Sequence, residues 1–212
     1  FGLGNLTGID MPGERPGIMP SREWKQGAKQ EAWFNGDTIN VSIGQGFMLT
    51  TPLQLAVMSA RIASKGKLLK PQLVKSIDGV ATQPVEVRES INMSDEYWDY
   101  VHKAMRDVVH SPRGTAKGIS NGLNYEIAGK TGTAQVISIS AEEEYDSSKI
   151  DKSQWDHALF VAFAPMDDPQ IAVGLIVENG EHGSSAAAPI ARLVIDEYMK
   201  SKSKQSQVIA NN

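Results

Sequence analysis

Tyr125-Glu126-Ile127-Ala128-Gly129-Lys130-Thr131-Gly132-Thr133-Ala134-Gln135-Val136 is the stretch whose reading decides the fold. It has the character of a strand, interrupted by a glycine on either side of Lys130. A glycine inside a strand loses more entropy on ordering than other residues and packs nothing. Its usual use is to let another backbone or a ligand come close. Alternation puts Lys130 and Gly132 on one face and Thr131 and Thr133 on the other. A ligand lying along the strand edge would therefore meet an ammonium and two hydroxyls, which suits an extended, anionic, peptide-like molecule.

Three readings compete for these residues. The first is an ordinary buried strand with a bulge. The second is a phosphate loop, because Gly129-Lys130-Thr131 matches the end of G-x-x-x-x-G-K-[ST]. That motif needs glycine where Asn124 stands and a helix after the lysine, whereas Gly132-Thr133-Ala134-Gln135-Val136 continues as strand. The third is the Lys-Thr-Gly element of serine acyl-transfer enzymes that react with penicillin, which accompanies S-x-x-K and S-x-N. The tetrad alone does not choose between the first and the third.

Composition narrows the field. The chain has 212 residues, 41% hydrophobic and 22% charged, with a net charge of −4. This describes one globular unit, or most of one. The mildly acidic balance argues against a nucleic-acid partner, which needs a basic face to neutralise phosphates. No apolar run is long enough to span a bilayer, and no signal-peptide pattern opens the chain at Phe1. With no cysteine, disulfides and thiolate chemistry are excluded. His102, His110, His157 and His182 are too widely spaced for a metal motif, so surface or capping roles are expected for each.

Working outward, Phe1–Gly46 is rich in Gly and Pro without a sustained period and reads as ordered loop, pinned by Trp24, Trp33 and Phe34. Thr51, Pro52 and Gln54 form a helix-opening capping box. Leu55, Met58 and Ile62 supply its apolar face, and Gly66 its stop. Lys70–Met93 reads as short extended pieces around an Asp78-Gly79 hairpin turn. A helix over Asp95–His110 follows, with Ser94 as cap and Tyr97, Val101, Met105 and Val108 on one face. Glu142-Glu143-Glu144 through Trp155 reads as a solvated loop; adjacent acids without fixed geometry are a weak metal site. His157–Ala164 and Ile171–Val177 are apolar, β-branched runs joined by turn residues, expected to pair antiparallel and to be buried on both faces. Pro189 opens a last helix with Ile190, Leu193, Val194 and Tyr198 on its packing face. The expected fold class is α+β, an antiparallel sheet flanked by helices. Residues 1–124 form the loop and helical region, 125–200 the strands and last helix, and 201–212 a disordered tail.

In order, these flanks resemble the transpeptidase domain of class B penicillin-binding proteins over nearly the whole chain. The stretches that carry the likeness are Phe1-Gly2-Leu3-Gly4 with Thr7-Gly8-Ile9-Asp10, Thr50-Thr51-Pro52-Leu53-Gln54-Leu55-Ala56, Ala128-Gly129-Lys130-Thr131-Gly132-Thr133-Ala134 and Phe160-Val161-Ala162-Phe163-Ala164-Pro165. Several motifs in the right order are far more specific than one tetrad. Gly36-Asp37-Thr38-Ile39-Asn40, Ser42-Ile43-Gly44-Gln45-Gly46, Asp156-His157-Ala158-Leu159-Phe160 and Glu178-Asn179-Gly180 resemble the elongation-type branch. The division-type branch tends to carry aromatic residues where Ile43 and Gln45 stand.

The resemblance implies the penicillin-binding and serine β-lactamase-like fold, only its C-terminal half in this chain. It also implies a peptidoglycan D,D-transpeptidase that uses no cofactor and no metal. Its partners would be the stem peptide, β-lactams, the N-terminal half of the same protein and membrane proteins of the elongation machinery. Its location would be the periplasmic face of the inner membrane, with an anchor absent here. Carried over, Lys130 supplies positive potential, Thr131 and Thr133 hydrogen-bond the substrate carboxylate, Gly132 leaves room, and the Thr133 amide forms part of the oxyanion hole. The nucleophilic serine, its lysine and S-x-N would lie upstream of Phe1. Ser64-x-x-Lys67, Ser201-x-x-Lys204 and Ser90-Ile91-Asn92 mimic them by accident, so the isolated fragment is expected to be inactive. A non-catalytic penicillin-sensing or scaffold protein of the same fold is the alternative, and a nucleotide-binding module the more distant one. Whether Gln45 and His157 line the site stays open.

Overall fold

A computed structural model describes residues 1–82, 86–137 and 145–210; the acidic run Glu142–Glu144 lies outside these. The centre is an antiparallel sheet of three consecutive strands, β5 (Ala128–Ala134), β6 (His157–Ala164) and β7 (Ile171–Val177), in the order β5-β6-β7. Gly129 pairs with Ala162, Thr131 with Phe160 and Thr133 with Ala158. On the other side of β6, Phe160 pairs with Leu175 and Ala162 with Val173. The three strands and their order match the expectation from the apolar runs. Burial does not match it fully: β6 is largely buried, but β7 is half-buried along its whole length.

Alternation along β6 separates two cores. Ala158, Phe160, Ala162 and Ala164 face α5 (Ala188–Ala210), where they meet Ala188, Ala191 and Ile195. Alanines on both sides let the helix lie close to the strands, since each residue given up in bulk shortens the separation. Phe163 turns to the opposite face and packs with Ala63 of α3 (Pro52–Ala63), Met105 of α4 (Asp95–His110) and Ala128.

The helix α3 is opened by the expected capping box. The Thr51 hydroxyl accepts from the Gln54 N–H at 3.1 Å, and the Gln54 side chain accepts from the Thr51 N–H at 3.0 Å. Gln54 is 1% exposed, and its Nε2 donates to the Asn5 and Pro16 carbonyls at 2.8 and 2.6 Å. One side chain thus caps a helix and ties down the N-terminal segment. A Cβ at Gly174 would lie 2.6 Å from the Ala56 nitrogen and the Pro52 carbonyl, so glycine there lets α3 rest directly on β7. Gly66 ends the α3 region at φ +91, with Trp98 and Ile91 crowding its α-carbon.

Several expectations are corrected, among them the packing face of α5, which runs through Ala188, Ala191 and Ile195 rather than through Ile190, Leu193 and Val194. Residues 1–46 are not all loop: α1 (Arg22–Lys29) and α2 (Asn35–Ser42) form within them. Helices of two turns are too short to show a period. They are held by caps and packing instead: Ser21 caps α1, and Asp37 accepts from the Phe34 N–H at 2.8 Å. Lys25, 3% exposed, reaches from α1 to Asp37 at 2.7 Å and lies over the Phe34 and Phe47 rings. The buried face of α4 is Trp98, His102, Met105 and Val109 rather than the face through Tyr97, which is 62% exposed. Trp98 packs beside Gly66 and edge-on to Phe1, which rotates the helix by about one position. Ser94 makes no side-chain cap bond.

The last helix is entered through a π-helical turn, Gly183–Ala187, and Pro189 is its second residue. It then runs to Ala210 rather than giving way to a disordered tail at 201. No glycine or proline follows Pro189, and a helix already nucleated propagates through Lys, Gln and Ser. Ser201 and Ser203 return their hydroxyls to the carbonyls of Tyr198 and Lys200.

The Asp78-Gly79 turn joins β2 (Ser76–Ile77) to β3 (Val80–Ala81), with φ of +50 and +82 as a type I′ hairpin requires. The segments β1 (Lys67–Leu69) and β4 (Glu86–Ser90) pair antiparallel beside it. Among the described residues no helix is long and apolar enough to cross a membrane.

Candidate active site

The strand β5 is hydrogen-bonded to β6 alone, so its other rim is unpaired among the described residues. In an antiparallel edge strand, alternate residues turn both N–H and C=O outward. Two bonds identify which residues these are. The Lys130 Nζ donates to the Thr131 carbonyl at 2.6 Å, and the Gln45 Nε2 donates to the Thr133 carbonyl at 3.1 Å. Thr131 and Thr133 therefore present their backbone groups to the rim, including the Thr133 N–H.

Several elements fix this strand. At its entry Arg106 of α4 grips Glu126 through Nε and Nη2, and the Arg106 guanidinium holds the Glu126 carboxyl below the usual carboxylate range. The His110 Nε2 accepts from the Ile127 N–H at 3.0 Å, and burial holds this imidazole below the usual histidine value. Beyond α4 the chain doubles back at Gly114, where a Cβ would lie 2.3 Å from the Val108 carbonyl. That return places the Thr115 hydroxyl 3.3 Å from the Thr131 hydroxyl. At the exit the Asp156 carboxylate accepts from the Val136 N–H at 3.3 Å.

The residues named from sequence thus stand together on one strand. Lys130 is exposed, and its ammonium pairs with no carboxylate among the described residues, so it leaves positive potential at the rim. The two glycines part company. A Cβ at Gly129 would lie 2.6 Å from the Phe160 ring, so this glycine serves the core and not a ligand. A Cβ at Gly132 would meet the Leu159 Cβ at 3.2 Å and nothing else within 4 Å. The face that Gly132 shares with Lys130 is therefore open. Across the strand, Gly183 lies against the Gly132 backbone, its own Cβ position 2.8 Å from the Gly132 carbonyl oxygen.

The serines of the three short strings that resemble S-x-x-K and S-x-N occupy ordinary positions in helices and strands. Ser64 caps the C-terminus of α3, with its hydroxyl donating to the Ala60 carbonyl at 2.8 Å. Ser201 lies within α5, and Ser90 ends β4 opposite Lys67. Lys130 sits inside a strand and not before a helix, so the phosphate-loop reading fails.

Gln45 reaches the rim and His157 does not. His157 Nδ1 accepts from the Asn179 N–H at 2.9 Å and secures the turn after β7. His102, expected in a surface or capping role, is 6% exposed; its Nε2 lies 2.7 Å from the Ile62 carbonyl in the last turn of α3, a capping contact, and its ring packs 5.0 Å from the Phe163 ring. Sequence reasoning missed Thr115, whose one signal was its place after Gly114, the glycine at which the chain doubles back beyond α4.

Comparison with known proteins places the chain in a family. Residues 1–196 match the penicillin binding protein transpeptidase domain. The peptidoglycan D,D-transpeptidase MrdA of Acinetobacter baumannii is 43% identical over 100% of this chain, which covers 32% of that protein. The crystal structure of Pseudomonas aeruginosa PBP2 in complex with WCK 5153 superposes with a TM-score of 0.79 at 44% identity, over 93% of this chain and 41% of that one. PBP2 of Helicobacter pylori, solved in a complex with MreC, gives 0.75 at 29% identity, over 93% and 34%. The chain spans about a third of the length of the curated relatives it matches, 32% for each of the first two. It belongs to the penicillin-binding protein transpeptidase family, in the branch of PBP2 (MrdA).

Proposed function

We propose that this chain is the part of a peptidoglycan D,D-transpeptidase that binds the end of the stem peptide, and that β-lactams inhibit the whole protein by occupying the same rim. The observation that carries this reading is the edge of β5, unpaired among the described residues, where Lys130 meets no counter-charge among those residues and stands beside the outward backbone of Thr131 and Thr133. A peptide carboxylate is drawn to the Lys130 ammonium and accepts from the Thr131 and Thr133 hydroxyls. The peptide lies along the rim as an added strand, with the open face at Gly132 giving it clearance. The scissile carbonyl oxygen then takes a hydrogen bond from the Thr133 N–H.

The nucleophile comes from a segment of the whole protein outside this chain. Its serine oxygen forms a bond to the carbonyl carbon between two D-alanines, that C–N bond breaks, and the departing amine takes the proton. The amine of a neighbouring stem peptide then takes the acyl group and frees the serine. The Thr133 N–H stabilises the oxyanion in both steps, and one such donor typically accounts for roughly two to three orders of magnitude in rate. The site acts on the periplasmic side of the inner membrane. MreC-like proteins are partners by analogy with the Helicobacter pylori complex.

Labelling with a fluorescent penicillin tests this. The 212-residue chain alone stays unlabelled, and a polypeptide extended to the length of its relatives is labelled on one serine outside these residues. Labelling of Ser64 in the isolated chain, or none in the extended one, would overturn it.

A further inference from the structure

The four tryptophans of the chain are put to different uses. Trp24 packs against Phe47 with ring centroids 5.4 Å apart, Trp98 is 2% exposed and meets Phe1 edge-on, and Trp155 has the Lys152 ammonium 5.9 Å from its ring centroid. Trp33 is the one tryptophan with no ring or cation against it among the described residues. Its Nε1 donates to the Thr38 hydroxyl at 2.8 Å, which fixes the indole at the start of α2. The ring walls a hollow of about 510 Å³ together with Arg22, Glu23 and Gln26 of α1. Residues three and four apart lie together on one face of a helix, so these three side chains converge on the same space.

The hollow offers a free aromatic face ringed by planar polar groups. Arg22 and Gln26 are exposed, and their side chains bond to nothing among the described residues. The Glu23 carboxyl is held below the usual carboxylate range by its own N–H and by the Ser21 hydroxyl, so at neutral pH it is an acceptor. Arg22 and Glu23 set opposite charges side by side, and a ligand of either net charge is opposed by one of them. A neutral molecule with C–H groups on one face and hydroxyl and amide groups around its edge suits all four residues: the C–H face is drawn to the electron-rich indole, and the edge bonds to the guanidinium, carboxylate and carboxamide. That molecule is a pyranose ring. The hollow also belongs to the unit that touches the rim, because Lys25 ties α1 to Asp37 of α2, and the turn ending α2 carries Gln45 to the Thr133 carbonyl. Resting on the transpeptidase reading above, we propose that Trp33, Arg22, Glu23 and Gln26 form a sugar subsite for the glycan strand from which the stem peptide hangs. The subsite holds the polymer while the rim takes its peptide.

The test uses the extended protein and the β-1,4-linked tetramer of N-acetylglucosamine, a neutral glycan that carries no peptide and so has nothing to offer the rim. Binding is measured by calorimetry for the unsubstituted protein, Trp33→Ala, Trp33→Phe and Gln26→Ala, each at a temperature below its melting midpoint. The unsubstituted protein binds the tetramer. Trp33→Ala weakens binding by roughly tenfold, the span of one lost aromatic contact, and Gln26→Ala by about two- to tenfold, the span of one hydrogen bond. Trp33→Phe, which keeps a stacking face and loses the Thr38 bond, binds more tightly than Trp33→Ala; a tryptophan that merely pins α2 would make the two alike. No binding by the unsubstituted protein, or equal binding by all four, overturns the subsite. Acylation of the unsubstituted protein by benzylpenicillin is read in parallel: where it proceeds without tetramer binding, the subsite fails and the transpeptidase reading stands, and where it does not proceed, that reading fails and the assignment to a peptidoglycan strand fails with it.

Discussion

Gly129 and Gly132 are indistinguishable as letters, three positions apart in one strand, and their substitution should have opposite consequences. A methyl at Gly129 drives into the Phe160 ring and the Val161 carbonyl, 2.6 and 2.9 Å from its Cβ position. Gly129→Ala should lower stability by about 1–3 kcal/mol, the usual range for overpacking, read as a fall in the urea midpoint. Gly132→Ala touches the Leu159 Cβ alone and should cost less than about 1 kcal/mol. Yet it narrows the rim, so acylation of the extended protein should fall while the midpoint holds. Equal loss of stability in both variants would mean that Gly132 serves the core as well. Lys130 makes the cleaner case, because among the described residues its one side-chain bond is to the neighbouring Thr131 carbonyl. Lys130→Met should leave the melting temperature unchanged and lower penicillin acylation by roughly 30-fold or more, the loss expected when one partner of a charge pair is removed.

At the scale of elements, the site depends on how α4 meets β5. The His110 ring sits at the end of α4, and its Nε2 must be unprotonated to accept from the Ile127 N–H. Burial holds its folded pKa below the ordinary 6.5. The unfolded chain therefore binds the proton first as pH falls, and stability that is complete above the ordinary histidine range is lost on acidification through it. Urea midpoints at pH 7.5 and 5.5 should show this loss, and His110→Gln, whose carbonyl can accept the same N–H, should reduce it. The same pH difference in the variant would remove His110 as the cause. Glu126, held low by Arg106, acts only further down the scale. The capping box of α3 offers an independent check: Thr51→Ala removes the bond to the Gln54 N–H and should cost about 1 kcal/mol.

For the molecule as a whole, the sheet and its helices leave apolar surface uncovered. Ile190, Leu193 and Val194 of α5 are 44%, 68% and 45% exposed, and β7 has no strand on its outer side among the described residues. Under the proposed function, the remainder of the protein covers both. The isolated chain should then bind a hydrophobic dye such as anilinonaphthalene sulfonate, and the extended protein should bind much less. Equal dye binding by the two would place the missing strands elsewhere.

The sequence by itself determined the elements whose causes are local. The capping box at Thr51, the Asp78-Gly79 turn, the apolar runs of β6 and β7 and the Lys-Thr-Gly strand all occur at the residues that announce them. Their signals are side chains bonding to nearby backbone or repeating at a fixed spacing, and these can be read along a line. Four features came from the tertiary structure alone: the face that α4 buries, the short helices α1 and α2, the duty of Gly129, and the meeting of Thr115 and Gln45 with the rim. Each is decided by a partner far along the chain: Gly66 for Trp98, Lys25 for Asp37, Phe160 for Gly129 and Thr133 for Gln45. Such partners become neighbours only once the chain has folded.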